Sequence, residues 1–239
     1  MLNVRVDNKS FPNTGRVIDG LEFNVQRGEF LTLFGPSGSG KSTLLNLIAG
    51  LDKDFKGMVD PDPSSAIGPR MGYVFQDARL MPWMTVFENV QLVAEKSVTD
   101  REVDELLDRL GLSGCRNHYP KQLSGGMQRK VALSRALIAR PKLLLMDEPF
   151  ISLDFQTAEG LRRILLELWE EQNLTVVFVT HDLQEAVTLS DRIISLSRCP
   201  ARLDVEKHID LPRPRRFEST EVASLCTQLR QEYQYSTTV

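Results

Sequence analysis

The stretch Gly35-Pro36-Ser37-Gly38-Ser39-Gly40-Lys41-Ser42 constrains this chain more than any other. It fits G-x-x-x-x-G-K-[ST] and stands between an apolar β-rich run ending at Phe34 and an apolar helical run, Leu44 to Ala49. Glycines let such a loop turn its N–H groups inward, the helix N-terminus adds partial positive charge, and Lys41 supplies a full one against β- and γ-phosphates. The Ser42 hydroxyl can ligate Mg²⁺. A strand, phosphate loop and helix in that order predict an α/β core with a largely parallel sheet.

The rest of the chain can supply that core. Its 239 residues allow one large domain or two small ones, and 41% hydrophobic with 26% charged residues exclude a disordered or collagen-like chain. Twenty-nine basic against 32 acidic side chains, a net charge of −3, give no basis for wholesale nucleic-acid or membrane binding by charge. Cys115, Cys199 and Cys226 lie far apart and are odd in number, which fits neither a disulfide framework nor a C-x-x-C pair and suggests a reducing interior. No apolar run approaches the roughly 18 residues of a membrane span, and the start, MLNVRVDNKS, lacks a signal-peptide core. The expectation is a cytoplasmic protein that crosses no membrane itself.

β-rich runs occur at Leu2 to Val6, Leu21 to Val25, Glu29 to Phe34, Met71 to Phe75, Leu143 to Met146, Val176 to Thr180 and Arg192 to Leu196. Helical spacing fills much of what lies between. Leu161, Ile164, Leu165, Leu168 and Trp169 form one apolar stripe, and Val103, Leu106, Leu107 and Leu110 repeat it behind a capping box, Thr99 with Glu102. The early strands lack long helices between them and suggest an antiparallel flap, whose edge hairpin in Gly57 to Gly68 looks abbreviated. From about 78 to 140 helical signals dominate and predict an inserted helical subdomain. We assign 1–211 to one main domain and 212–239 to a short tail. There Arg213, Arg215 and Arg216 are expected in a solvated linker, and Val222, Leu225, Leu229 and Tyr233 mark one amphipathic helix.

Two further segments carry chemistry. Leu143 to Pro149 is a buried strand delivering Asp147 and Glu148 at its C-terminal end, where open α/β sheets bind ligands. Asp147 suits Mg²⁺, and Glu148 can polarise an attacking water as general base. Leu123-Ser124-Gly125-Gly126-Met127-Gln128 precedes an apolar helix, so Ser124 is an N-cap whose neighbouring backbone donors form a second anion site.

With that string the chain resembles the ATP-binding cassette ATPases, whose signature it matches; the remaining elements recur in the same order over most of residues 1 to 200. The resemblance implies a phosphate-loop NTPase core, with ATP and Mg²⁺ as ligands and ATP hydrolysis as the activity. It assigns Gly35, Pro36, Ser37, Gly38, Ser39, Gly40, Lys41, Ser42 and Thr43 to the phosphates, and Ser124, Gly125, Gly126 and Gln128 to the signature contact. Phe11 stacks on adenine where Tyr is more usual, and Val17 lines the same edge. Gln76 reaches Mg²⁺ and the attacking water, so that the metal set is Ser42, Gln76 and Asp147. His181 bonds the γ-phosphate, whereas a histidine without that context, such as His118 or His208, reads as surface or packing. Ser152-Leu153-Asp154 resembles the loop that crosses the seam of a two-fold dimer.

That dimer, of identical chains or of homologues, would bury each ATP between Lys41 of one chain and Ser124 of the other. Arg79-Leu-Met-Pro-Trp83-Met-Thr-Val-Phe-Glu-Asn-Val90 is similar to the corresponding stretch of nitrate, sulfonate and taurine importer ATPases. It implies solute import through a separate membrane permease fed by an external solute-binding protein, at the cytoplasmic face of the inner membrane, with no nucleic-acid partner. The alternatives are the ATPase of an exporter or lipid-moving complex and a soluble non-transport cassette.

Overall fold

The computed structural model describes residues 2–61 and 70–236. Two compact units make up the chain, one from Met1–Gly68 with Thr175–Val239 and one from Pro69–Leu174.

In the first unit, β1 (Leu2–Phe11) pairs antiparallel with both β2 (Gly15–Val25) and β4 (Lys56–Pro61), giving the expected flap. Leu2, Val4 and Val6 face the core while Asn3, Arg5 and Asp7 face out, the period-2 alternation of a half-buried strand. At β4 the close approach requires a glycine: Gly57 has φ +137°, and a Cβ there would lie 2.1 Å from the Arg5 carbonyl oxygen. The expected edge hairpin lies, from residue 62 to 68, outside the described residues.

β3 (Phe30–Phe34), between the flap strands and α1 (Lys41–Ile48), is buried along most of its length. It pairs in parallel with β7 (Thr175–Thr180) and β8 (Arg192–Leu196), and β9 (Leu203–His208) adds an antiparallel edge to β8. Strands with both faces covered read as continuous apolar runs, which is why β3, β7 and β8 were legible. α1 buries Leu44, Leu45, Leu47 and Ile48 and ends at Gly50, whose φ of +67° lets the chain reverse.

An ion cluster closes the bottom of this layer. Arg192 on β8, 6% exposed, is held bidentately by Glu29 at 2.6 and 3.1 Å, by Glu206 at 2.7 Å and by the Asn24 carbonyl at 2.5 Å. Burial alone would lower the guanidinium pKa, but the Glu29 and Glu206 contacts hold it above its ordinary value. Arg192→Met leaves Glu29 buried without its countercharge, so we expect a loss of about 3–5 kcal/mol. Chemical denaturation of the variant checks this; a loss below about 1 kcal/mol would show that water replaces the arginine.

The C-terminal segment departs from expectation. Arg215 donates to the carbonyls of Val187, Ser190, Ile209 and Leu211 at 2.5–3.0 Å, and Arg213 donates to Leu189 O and to Asp191. These carbonyls lie around the C-terminal end of α6 (Leu183–Leu189), where unsatisfied acceptors attract cations. Arg213 and Arg215 therefore form a cap and not a solvated linker; Arg216 alone of the three is exposed. α7 (Thr220–Ser236) packs Val222, Cys226, Leu229 and Tyr233 against Leu183, Ala186 and Val187 of α6. Burial pushes the Cys226 thiol up to about 11, and all three cysteines are free.

In the second unit β5 (Met71–Val74) and β6 (Leu143–Asp147) pair in parallel. Gly72 sits in a tight place, since a Cβ would lie 3.0 Å from Ala136 O and from Leu144 Cδ1. The helices are α2 (Val86–Gln91), α3 (Asp100–Arg109), α4 (Gly125–Ile138) and α5 (Phe155–Gln172). Thr99 and Glu102 form the expected capping box on α3, and Thr85 with Glu88 forms another on α2. α5 buries Leu161, Leu165 and Leu168 of its stripe and stops at Asn173, φ +49°. No helix among the described residues is long and apolar enough to cross a membrane.

Candidate nucleotide site

In the first unit the loop Gly35–Ser42 leaves the buried end of β3 and opens α1. Gly38 (φ +77°) and Gly40 (φ +89°) adopt left-handed backbone that turns the loop on itself. Lys41 is buried, and its Nζ donates to Gly35 O and Pro36 O at 2.8 Å each, which draws the ammonium into the hollow of the loop. Ser39 Oγ is buried there with no hydrogen-bond partner, a polar atom suited to a phosphate oxygen. Gly40 carries no side-chain cap, leaving the first-turn N–H groups of α1 for an anion. Ser42 is exposed and Thr43 half-buried at that turn.

Val17 packs as the floor of the loop: a Cβ on Gly40 would sit 3.1 Å from its Cγ1. Phe11, at the end of β1, remains 37% exposed. His181 follows β7, and Phe34 pairs with Thr180, so Gly35 and His181 leave neighbouring parallel strands at the same level. The junction is fixed by Thr180 Oγ1, which donates to Glu185 at 2.7 Å and accepts from Asp182 N–H at 3.0 Å, while Asp182 caps α6. His181 is exposed.

In the second unit Val74 pairs with Met146, which brings Gln76 and the pair Asp147–Glu148 out at one end of two adjacent strands. Gln76 is exposed, and Phe75 before it is stacked on Tyr73 at 3.9 Å and covered by Arg79 at 3.8 Å. Asp147 is buried, and Tyr73 beside it is held neutral, its phenol pushed up by burial and by the Asp147 charge. Glu148 is half-buried with φ +45°, a sparsely populated conformation for a residue with a side chain. Arg129 Nη1 holds the carbonyls of Glu148 and Pro149 at 3.3 and 3.2 Å. Nothing in the sequence pattern marks Arg129, because its partners lie 19 and 20 residues away.

Ser124 caps α4 by accepting from Met127 N–H at 3.3 Å and is itself exposed. Gly125 faces open space, whereas a Cβ on Gly126 would crowd Thr157 at 3.1 Å and Leu153 at 3.4 Å. The Gln128 amide donates to Pro120 O and Leu123 O, bracing the turn that leads into Ser124. Asp154 caps α5 by accepting from Thr157 N–H, and Ser152 before it has φ +61°. His118 is half-buried and His208 exposed.

The family model described as ABC transporter matches residues 18–151, from the flap through the phosphate loop and Ser124 to Glu148. The chain belongs to the ABC transporter family. Among its relatives, the aliphatic sulfonates import ATP-binding protein SsuB of Bacillus licheniformis is 39% identical, covering 99% of this chain and 96% of that protein. The Bacillus subtilis protein of that name is 37% identical over 98% and 94%, and SsuB 1 of Pseudomonas savastanoi pv. phaseolicola 40% over 95% and 94%. A solved ATP-binding cassette, MJ0796, in a dimeric post-hydrolysis state bound to ADP and Pi, superposes with a TM-score of 0.77 at 33% identity, covering 89% of this chain and all of that one. As an ABC ATPase, this chain carries its phosphate-loop motif on one unit and the Asp147–Glu148 pair on the other.

Proposed function

We propose that the chain is the ATP-hydrolysing subunit of an importer, powering entry of a small anion such as a sulfonate, taurine or nitrate through a separate membrane permease. The observation that carries this reading is the near full-length likeness to sulfonate-import ATP-binding proteins, joined to a complete phosphate loop and a Glu148 set at a strand end. In this reading residues 1–211 form the ATPase domain, about 78–140 its helical subdomain, and 212–239 a short tail whose Val222, Cys226, Leu229 and Tyr233 seat on α6.

Gly35 to Thr43 hold the triphosphate, with the Lys41 ammonium leaving its loop carbonyls for phosphate oxygens. Phe11 stacks on the base, and Val17 supports the loop from below. Glu148 accepts the proton of the attacking water, Gln76 orients that water, and His181 donates to the γ-phosphate. The Ser42 hydroxyl, the Asp147 carboxylate and the Gln76 amide are hard oxygen donors few enough to leave room for phosphate oxygens, the set that suits Mg²⁺. Mg²⁺ held there would neutralise charge that develops on the phosphates. Ser124, Gly125 and Gly126 close the site on the ATP of a second chain, and Gln128 holds their turn in shape. The subunit works at the cytoplasmic face of the inner membrane, and an external solute-binding protein delivers to the permease.

The segment after Gln76 supports a permease contact. Trp83 is 70% exposed, so it is not core. Phe87 is half-buried with Arg116 over its ring at 3.8 Å, and Met81 N–H donates to Asn89. Trp83→Glu should change folding stability by no more than about 0.5 kcal/mol, as at an exposed position. It should weaken permease binding by about 2 kcal/mol or more, because a carboxylate facing an apolar helix loses its water without gaining a partner. Co-purification of a tagged chain with its membrane partner, beside the nucleotide affinity of the isolated subunit, measures both. Normal assembly of the variant would defeat the contact; capture of no membrane protein by the wild-type chain would defeat the importer reading.

A further inference from the structure

Lys9 is among the most buried side chains of the first unit, 2% exposed, an unusual place for a lysine. β1 shifts register against β4 between Val6 and Asn8, and this irregularity reverses the alternation, so that an odd-numbered residue turns inward. Lys9 Nζ donates to Asp52 Oδ1 at 3.0 Å and to Asp54 O at 2.5 Å, with the Asp54 carboxylate at 3.5 Å. The same ammonium lies 4.5 Å from the centre of the Phe11 ring.

The connections explain what this arrangement can do. Asp52 lies just beyond α1, the helix that the phosphate loop opens, and Phe11 closes β1 two residues after Lys9. Lys9 thus clamps the strand end that carries the ring to the helix that carries the phosphate loop. The hydrogen bond from Lys9 holds the Asp52 carboxyl below its ordinary range. A cation on one face of an aromatic ring draws π density towards itself, and the exposed part of Phe11 then meets a stacked purine as an electron-poor surface.

We propose that Lys9 is a positioning residue for the nucleotide base, fixing Phe11 relative to the phosphate loop and polarising its ring for stacking. This rests on the reading of Phe11 as the base platform. The test is calorimetric binding of ATP and of inorganic tripolyphosphate, which has no base, to the full-length wild type, Lys9→Met, Phe11→Ala and the double variant. Lys9→Met should weaken ATP about 3- to 10-fold, raise KM by a similar factor with a smaller change in kcat, and leave tripolyphosphate within about 2-fold. In the Phe11→Ala background it should add nothing. Asp52→Asn, which keeps the lysine but loosens its anchor, should shift ATP affinity in the same direction and serves if Lys9→Met does not fold. Phe11→Ala with unchanged ATP affinity would overturn the platform reading and this inference with it. A weakened Phe11→Ala beside a Lys9→Met of wild-type affinity would overturn the role of Lys9 alone. Equal losses for ATP and tripolyphosphate would overturn it too, showing that Lys9 supports the loop and not the base.

Discussion

Glu148→Gln is expected to lower steady-state ATP hydrolysis by about 10²- to 10⁴-fold, the usual contribution of a positioned general base. Glutamine keeps the size of the side chain and its capacity to hydrogen-bond, and the backbone at Glu148 is held independently by Arg129 through the carbonyls of residues 148 and 149. The fold and the phosphate loop are therefore retained, and ATP binding persists. With ATP bound and not consumed, the γ-phosphate contact that closes two chains together is not released, so an ATP-dependent dimer accumulates. Phosphate release and size-exclusion chromatography with ATP read the two effects. Hydrolysis at the wild-type rate would remove Glu148 from its role.

Mixed dimers give the second large effect. Suppose Lys41→Ala stands on one chain and Ser124→Ala on the other. If each ATP lies between Lys41 of one chain and Ser124 of its partner, both lesions fall on the same site and the other site stays whole, so up to about half of the activity survives. With both lesions on one chain, each site loses one side and activity falls to background. Sites contained within single chains predict the reverse order, because one chain would then remain intact in the second arrangement. Enforced heterodimers assayed for phosphate release distinguish the orders directly, and the reversed order would refute the shared site.

The parts of this fold that could be read from sequence are those whose cause is local. The phosphate loop announces itself by its own glycines and lysine, Ser124 and Thr99 by the helices they start, and β3, β7 and β8 by apolar runs that need cover on both faces. β9 was not legible, and β4 only as part of an edge hairpin expected in Gly57 to Gly68. Each is a short strand of mixed polarity, Lys-Gly-Met-Val-Asp-Pro and Leu-Asp-Val-Glu-Lys-His, made a strand by pairing with β1 or β8 far away in sequence. Arg215 read as solvated because the carbonyls it caps include those of Val187 and Ser190, 28 and 25 residues away. Nothing in the sequence marks Lys9 as buried, because only a register shift turns it inward. At the candidate site the residue types were legible and their supports were not: Arg129 behind Glu148, and the Gln128 amide turned to the chain's own backbone.

The central claim is that ATP turnover on this chain drives solute inward through another polypeptide. Uptake of radiolabelled taurine, an alkanesulfonate and nitrate by cells carrying this chain as their sole copy, compared with cells carrying Glu148→Gln at the same level, tests it most directly. The account predicts that accumulation of at least one of these anions collapses in the variant while the protein remains at the membrane. Undiminished accumulation of all three, or greater retention of a preloaded solute in the variant, would contradict it.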